Sequence, residues 1–233
     1  MKGRSNEITD TVARRCIDLC CLQETRWRGS SARKITGRDC IYKFFWSGDP
    51  SGLGGVGILL AEKWIDKVLS VVRINHRIMM LRLLVGKIIL SIFCVYAPQC
   101  GRPSEGKDDF YSVLLSNIST ISPDDVLIVC VDLNGHIGRD SDDFEGIHGG
   151  HGYGIRNAEG TRILDMCAAS NLVVANSFFK KDINKLITYS SGGTNTQIDY
   201  ILTRRANLKH TKNIKVISSE GCAPQHRPLV GDF

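Results

Sequence analysis

Glu24 follows the apolar run Cys20-Cys21-Leu22-Gln23, and Tyr96 precedes Ala97-Pro98. Asp132 and Asn134 follow Val129-Cys130-Val131, Asp199 lies inside Gln197-Ile198-Asp199-Tyr200-Ile201-Leu202, and His226 follows Gln225. Carboxylates so placed can hold a hard cation or take a proton, and a phenol or amide can donate to developing negative charge. A histidine beside an aspartate can be fixed in one orientation. Taken singly each residue is ordinary, because Asp and Asn often end strands and satisfy loop amides. What sets them apart is that each stands at or near the tip of an apolar run.

The elements that must position them can be read from periodicity. Ile8, Val12 and Cys16 recur at helical spacing over Ser5 to Arg15, with Ser5 or Asn6 available as a cap. Ile17 to Gln23 reads as a strand that would put Glu24 at its carboxyl end. Gly55 to Ala61, Ile78 to Val85 and Lys87 to Tyr96 read as a meander, the last two joined at Gly86. Phe110, Val113, Leu114, Ile118 and Ile121 define a second helix, and Val126 to Val131 is the strand leading to Asp132. Asp132 to Arg156 is rich in Gly, Asp, His and Asn and reads as a long surface loop with a functional reason to exist. Thr161 to Ala169 is helical in spacing. Extended runs follow at Leu172 to Ala175, Leu186 to Tyr189, Gln197 to Thr203, Ile214 to Ile217 and Pro228 to Phe233. Many strands and few helices in this order predict an α+β fold: a four-layer α/β/β/α sandwich of two mainly antiparallel sheets flanked by helices, in one domain over residues 1–233.

Composition narrows the classes. The most hydrophobic run, Ile88 to Ala97, is too short to cross a bilayer, so no membrane partner is expected, and the basic start lacks the apolar segment of a secretory signal. An intracellular location is expected. The nine cysteines show no C-x-x-C pair and read as small apolar residues in a reducing compartment. A formal net charge of +6 favours a polyanionic partner. Arg26, Arg28, Arg33, Lys34, Arg38, Arg139, Arg156, Arg204 and Arg205 sit in loops near motif ends, where phosphate contact and a solvated face are equally open readings. Trp27 and Trp46 read as core. His136, His148 and His151 match no metal-ligand template and read as flexible polar surface.

The ordered set Leu22-Gln-Glu-Thr25, Gly54-Gly-Val-Gly-Ile58, Val95-Tyr-Ala-Pro98, Val131-Asp-Leu-Asn-Gly-His136, Gln197-Ile-Asp-Tyr-Ile-Leu202 and Gln225-His-Arg227 resembles the endonuclease/exonuclease/phosphatase superfamily. It is closer still to the endonuclease domain of non-LTR retrotransposons and to the related craniofacial development protein 2 family. The resemblance implies a Mg²⁺-dependent phosphodiesterase that nicks DNA, with Mn²⁺ as an alternative ion, and a nuclear location. It assigns Glu24 to the metal. Asp132 would orient and deprotonate the attacking water, with Asn134 on the same strand face if the strand continues. Tyr96 would donate to phosphate, and Asp199 would hold His226. In-line displacement on a phosphodiester needs this mix of one nucleophile, one metal and several donors.

The sequence departs from the family in two respects. The superfamily normally opens with a strand ending in Asn, whereas this chain opens on the helix that would follow, so a truncated form is expected. Gln225 stands where many members carry Asp, which removes a charge and predicts weaker metal affinity. Gln99, where abasic-site nucleases carry Asn, argues against that specificity. A non-catalytic remnant binding nucleic acid or protein is therefore the alternative to the nuclease, and a phosphatase acting on inositol phosphates or lipids is a smaller third.

Overall fold

A computed structural model describes residues 4–37, 40–99, 101, 103–220 and 225–233; Arg38, Cys100 and Cys222 lie outside them. The chain forms two compact units, Met1–Tyr96 with Ser122–Asp125, and Ala97–Ile121 with Val126–Phe233.

The first unit is a sheet sandwich. Helix α1 (Ser5–Arg14) leads into β1 (Leu19–Gln23), β2 (Ser30–Thr36), β3 (Ile41–Ser47) and β4 (Val56–Ala61), which pair antiparallel in the order β1-β4-β3-β2. β5 (Val68–Arg73), β6 (Ile78–Val85) and β7 (Ile88–Tyr96) form an antiparallel meander packed on that sheet. Polar atoms lock the two layers at fixed points. The buried Cys94 thiol approaches the carbonyls of Gly57 at 3.3 Å and Leu22 at 3.5 Å, and Ser47 Oγ donates to Asn75 O at 2.8 Å. Asp125 is buried but satisfied, accepting from Arg82 Nη2 at 2.8 Å and Ser91 Oγ at 2.7 Å.

The second unit contains α2 (Ser104–Ser119), β8 (Val126–Asp132), α3 (Ala158–Ala169), β9 (Leu172–Val174), the hairpin β10 (Tyr189–Ser191) and β11 (Thr194–Thr196), β12 (Asp199–Arg204), and the pair β13 (Asn213–Val216) and β14 (Leu229–Asp232). β12 lies antiparallel between β8 and β9. β8 is apolar on both faces and nearly all buried, which is why it reads as a continuous Val/Ile run rather than an alternation. The whole is a mixed α+β architecture of several sheets and few helices, with stacked sheets as the chain's pattern implied. No helix among the described residues is long and apolar enough to cross a membrane.

Several elements differ from their sequence reading. β2 and β5 escape periodicity because each is a poorly buried edge strand; β2 exposes most of Ser30-Ser-Ala-Arg-Lys-Ile-Thr36, and β5 carries a bulge between Val68 and Ser70. β3 is aromatic and alternates in burial, a signal the sequence did carry. Leu186 to Tyr189 is not one strand: a 3₁₀ turn spans Ile183–Lys185 and pairing begins only at Tyr189. Ser5 and Asn6 do not cap α1, whose N-cap position is Arg4, without a side-chain cap bond. The seven described cysteines are unbridged, with Cys94 and Cys167 buried, Cys16 exposed and the others half-buried.

Candidate active site

In the second unit, β8 and β12 are in register with Asp132 directly opposite Asp199. Two like charges facing each other across a ladder repel unless a cation or proton donor intervenes. His226 occupies that place: Nδ1 lies 3.1 Å from Asp199 Oδ2, and Nε2 lies 4.0 Å from Asp132 Oδ2. The first distance is a hydrogen bond that fixes the ring, and the second leaves Nε2 facing Asp132 without bonding it. Asp132 is 4% exposed, so its carboxylate acts in a poorly solvated setting. Backbone pairing continues past the strand ends, with Ala97 N–H to Asp132 O at 2.9 Å and Leu133 N–H to Ile198 O at 3.0 Å.

Asn134 corrects one expectation. β8 ends at Asp132, and Asn134 has left-handed backbone (φ 52°), so it does not share a strand face with Asp132. The spacing of two has a different cause. Asn134 N–H donates to Asp132 Oδ1 at 3.2 Å, an Asx turn in which the aspartate carboxylate folds the next residues back over itself. The Asn134 Nδ2 donates to Ala97 O at 3.2 Å, which sets the amide's direction. Asn is among the few residues that accept this backbone readily.

The Gly-rich segment that follows is pinned rather than loose. His148 is 1% exposed; its Nε2 sits 3.2 Å from Gly138 O, and Nδ1 accepts from Gly150 N–H at 3.0 Å. Burial holds its imidazole below the ordinary histidine range. The reading of His148 as flexible surface is therefore overturned. Arg156 donates to the carbonyls of Ile137 at 3.1 Å, Asp142 at 2.9 Å and Asp140 at 2.7 Å, which commits its guanidinium to the loop instead of to phosphate. Asn157 caps α3, accepting from Gly160 N–H at 2.8 Å, and the same oxygen takes His136 N–H at 3.0 Å. A Cβ on Gly160 would lie 1.7 Å from His136 O, so only glycine permits this approach.

In the first unit, Glu24 stands just past β1 in left-handed backbone (φ 48°). The following N–H groups, Thr25 and Arg26, donate to Gly55 O at 3.1 Å and Gly54 O at 2.7 Å, so the β3–β4 connection holds the unusual turn. Tyr96 at the tip of β7 is 5% exposed and its phenol donates to the Glu24 carboxylate. Arg26 Nη2 lies 3.6 Å from the other oxygen, and 43% of the Glu24 side chain remains exposed. The Arg77 guanidinium lies 5.1 Å over the Tyr96 ring and donates to Tyr96 O at 3.3 Å, a brace that the sequence did not single out. Trp27 and Trp46 are half-buried and stack edge-on with ring centroids 4.7 Å apart, with Arg33 4.3 Å over Trp27.

The donor set suits a divalent cation. Ligand atoms of Asp132, Asp199 and His226 lie within 4.8 Å of one another, the sole such group of three among the described residues. Glu24, in the first unit, is a half-exposed carboxylate. Gln225 is exposed and donates to Ser191 Oγ at 2.8 Å, so it brings neither charge nor ligand to the Asp132 group.

No family model matches the sequence. The chain is 26% identical over 234 residues to craniofacial development protein 2 of Tragulus javanicus and 25% identical to that of Bos taurus, with 99% of the chain aligned in each case. It spans about 40% of the length of these relatives. Among solved structures it is similar to the endonuclease domain of TRAS1, a telomere-specific non-LTR retrotransposon (TM-score 0.66, 13% identity, 99% of this chain and 92% of that one). It is also similar to an AP endonuclease from Leishmania major (0.71, 11%, 98% and 81%) and to a 3′ phosphatase from Neisseria bound to product DNA hairpin (0.69, 15%, 99% and 94%). The chain therefore has the endonuclease/exonuclease/phosphatase fold.

Proposed function

We propose that this chain is a Mg²⁺-dependent phosphodiesterase that nicks DNA in the manner of retrotransposon-type endonucleases, with Mn²⁺ able to substitute. The observation that carries the reading is the convergence of Asp132, Asp199 and His226, with His226 Nδ1 bound to Asp199. Asp132 takes the proton of the attacking water, and Asn134, folded onto Asp132 by its own N–H, orients that water. His226, fixed by Asp199, presents Nε2 to a phosphate oxygen or the leaving group. Glu24 is the metal carboxylate and Tyr96 the phenol that steadies it. The ion, when bound, supplies charge neutralisation at the phosphodiester oxygens. DNA as the substrate is supported by the net charge of +6 and by the activities in the names of the similar solved structures. A nuclear location belongs with that substrate.

The test incubates the purified chain with supercoiled plasmid and Mg²⁺. Nicked circles that vanish with EDTA and with Asp132→Ala are expected. Intact plasmid, or equal nicking by the variant, overturns the proposal; intact plasmid with EDTA-insensitive DNA binding would point instead to a non-catalytic binding module.

A further inference from the structure

We infer that Thr188 is the residue that positions the His226–Asp199 dyad, by joining the two separate chain segments that carry it. The inference rests on the proposed nuclease reading for its effect on rate, but on geometry alone for its effect on the dyad.

His226 and Asp199 are 27 residues apart and sit on different segments. Asp199 opens β12, whereas the bridge of His226 is an isolated antiparallel one with Tyr189. Main-chain bonds clamp the histidine from either side: Ser190 N–H donates to Gln225 O at 2.9 Å, and Arg227 N–H donates to Thr188 O at 2.8 Å. The Tyr189 ring meets the His226 ring edge-on with centroids 4.8 Å apart. The histidine is thus carried by residues 188–190.

Thr188 joins that carrier to Asp199. Its side-chain oxygen accepts from Ile198 N–H at 3.0 Å and from Asp199 N–H at 3.2 Å, and its own N–H donates to Thr196 O at 3.0 Å. The residue is fully buried. A single side chain therefore sets the Asp199 backbone while its carbonyl sets the segment just past His226. Asn176 completes the support from β9's side, with Nδ2 donating to Asp199 O at 3.1 Å and Oδ1 accepting from Ile201 N–H at 2.8 Å. Both of these Asn176 side-chain bonds go to the main chain of β12, so they orient the aspartate without tying it to the histidine. A hydroxyl is needed at position 188 because two N–H groups converge on one acceptor, which a methyl of the same shape cannot satisfy.

The experiment reads the hydrogen-bonded Nδ1 proton of His226 by NMR in the full chain labelled with ¹⁵N-histidine, assigned by its loss in Asp199→Asn. The parent is expected to show it downfield, Thr188→Val to lose or broaden it, and Thr188→Ser to keep it. In the plasmid assay Thr188→Val is expected to lower kcat about 10- to 100-fold with KM unchanged, and to add nothing in the Asp199→Asn background. Should Thr188→Val fail to fold, Thr188→Cys, a poor acceptor of similar size, carries the same expectation. Retention of the parent resonance in the Val or Cys variant overturns the inference. Its absence from the parent, or equal loss in Thr188→Ser, does so too. If the parent does not nick DNA, the nuclease reading fails while the resonance still decides the role of Thr188.

Discussion

Glu24 and Asp132 are both carboxylates at the tip of an apolar strand, yet the chain holds them by opposite means. Asp132 is the last residue of β8, nearly inaccessible, paired across the ladder with Asp199 and faced by a histidine that Asp199 orients. Regular structure places it, and its neighbours are fixed by main-chain bonds. Glu24 lies beyond its strand in left-handed backbone, which costs a non-glycine residue roughly 1–2 kcal/mol. It stays there because the Gly54 and Gly55 carbonyls capture the next two N–H groups and the Tyr96 phenol captures its carboxylate. The first arrangement is rigid and dry, suited to proton transfer at a set distance. The second is half-exposed and strained, suited to exchanging ligands with a hydrated cation.

The sharpest way to break this contrast is chemical. If Asp132 is the base, Asp132→Ala should lower kcat for plasmid nicking by about 10²–10⁴-fold and added Mg²⁺ should not restore it. Glu24→Gln should instead raise the Mg²⁺ concentration for half-maximal nicking, by at least the roughly 10- to 100-fold that losing an outer-shell partner of a ligand costs. If both variants respond alike to Mg²⁺, the division of labour is wrong. The strain at Glu24 can be probed through the glycine that supports it. Gly55 has φ 91°, and a Cβ there would lie 2.6 Å from Thr25 Oγ1, so Gly55→Ala should destabilise the chain by about 1–3 kcal/mol in urea melts. Gly150→Ala, with φ 82° but open space around its Cβ, should lose less; equal losses would show that the contact with Thr25 does not matter.

The smallest effect concerns the loop leaving Asp132. His148 titrates below its ordinary value of 6.5 in the folded chain because it is buried, so the unfolded chain takes the proton first as pH falls. The stability tied to its neutral form is complete above pH 6.5 and drains away below it. Comparing urea midpoints at pH 7.5 and 5.5, the parent should fall further than His148→Gln. The same drop in both would mean that other groups control the acid response.

Much of this was legible in the chain. Apolar runs ending in Glu24, Tyr96 and Asp132 announce strand tips, because a strand buried on its flanks can expose a polar residue only where it ends. The site of His226 was less legible, since nothing in Gln-His-Arg shows what it faces. β2 and the β10–β11 hairpin left almost no periodic signal, being too polar or too short.

Sequence alone thus determined which residue types stand at the strand tips and that the chain would build an α+β fold of stacked sheets. Tertiary structure alone decided the relations among them. Register set Asp132 against Asp199, a loop bridge brought in His226, and a buried hydroxyl at Thr188 joined the two. Likewise only packing turned His148 and Arg156 from apparent surface groups into pins of the Gly-rich loop. The physical reason is that periodicity reports burial against a local neighbour, whereas a hydrogen bond between residues tens of positions apart leaves no local pattern to read.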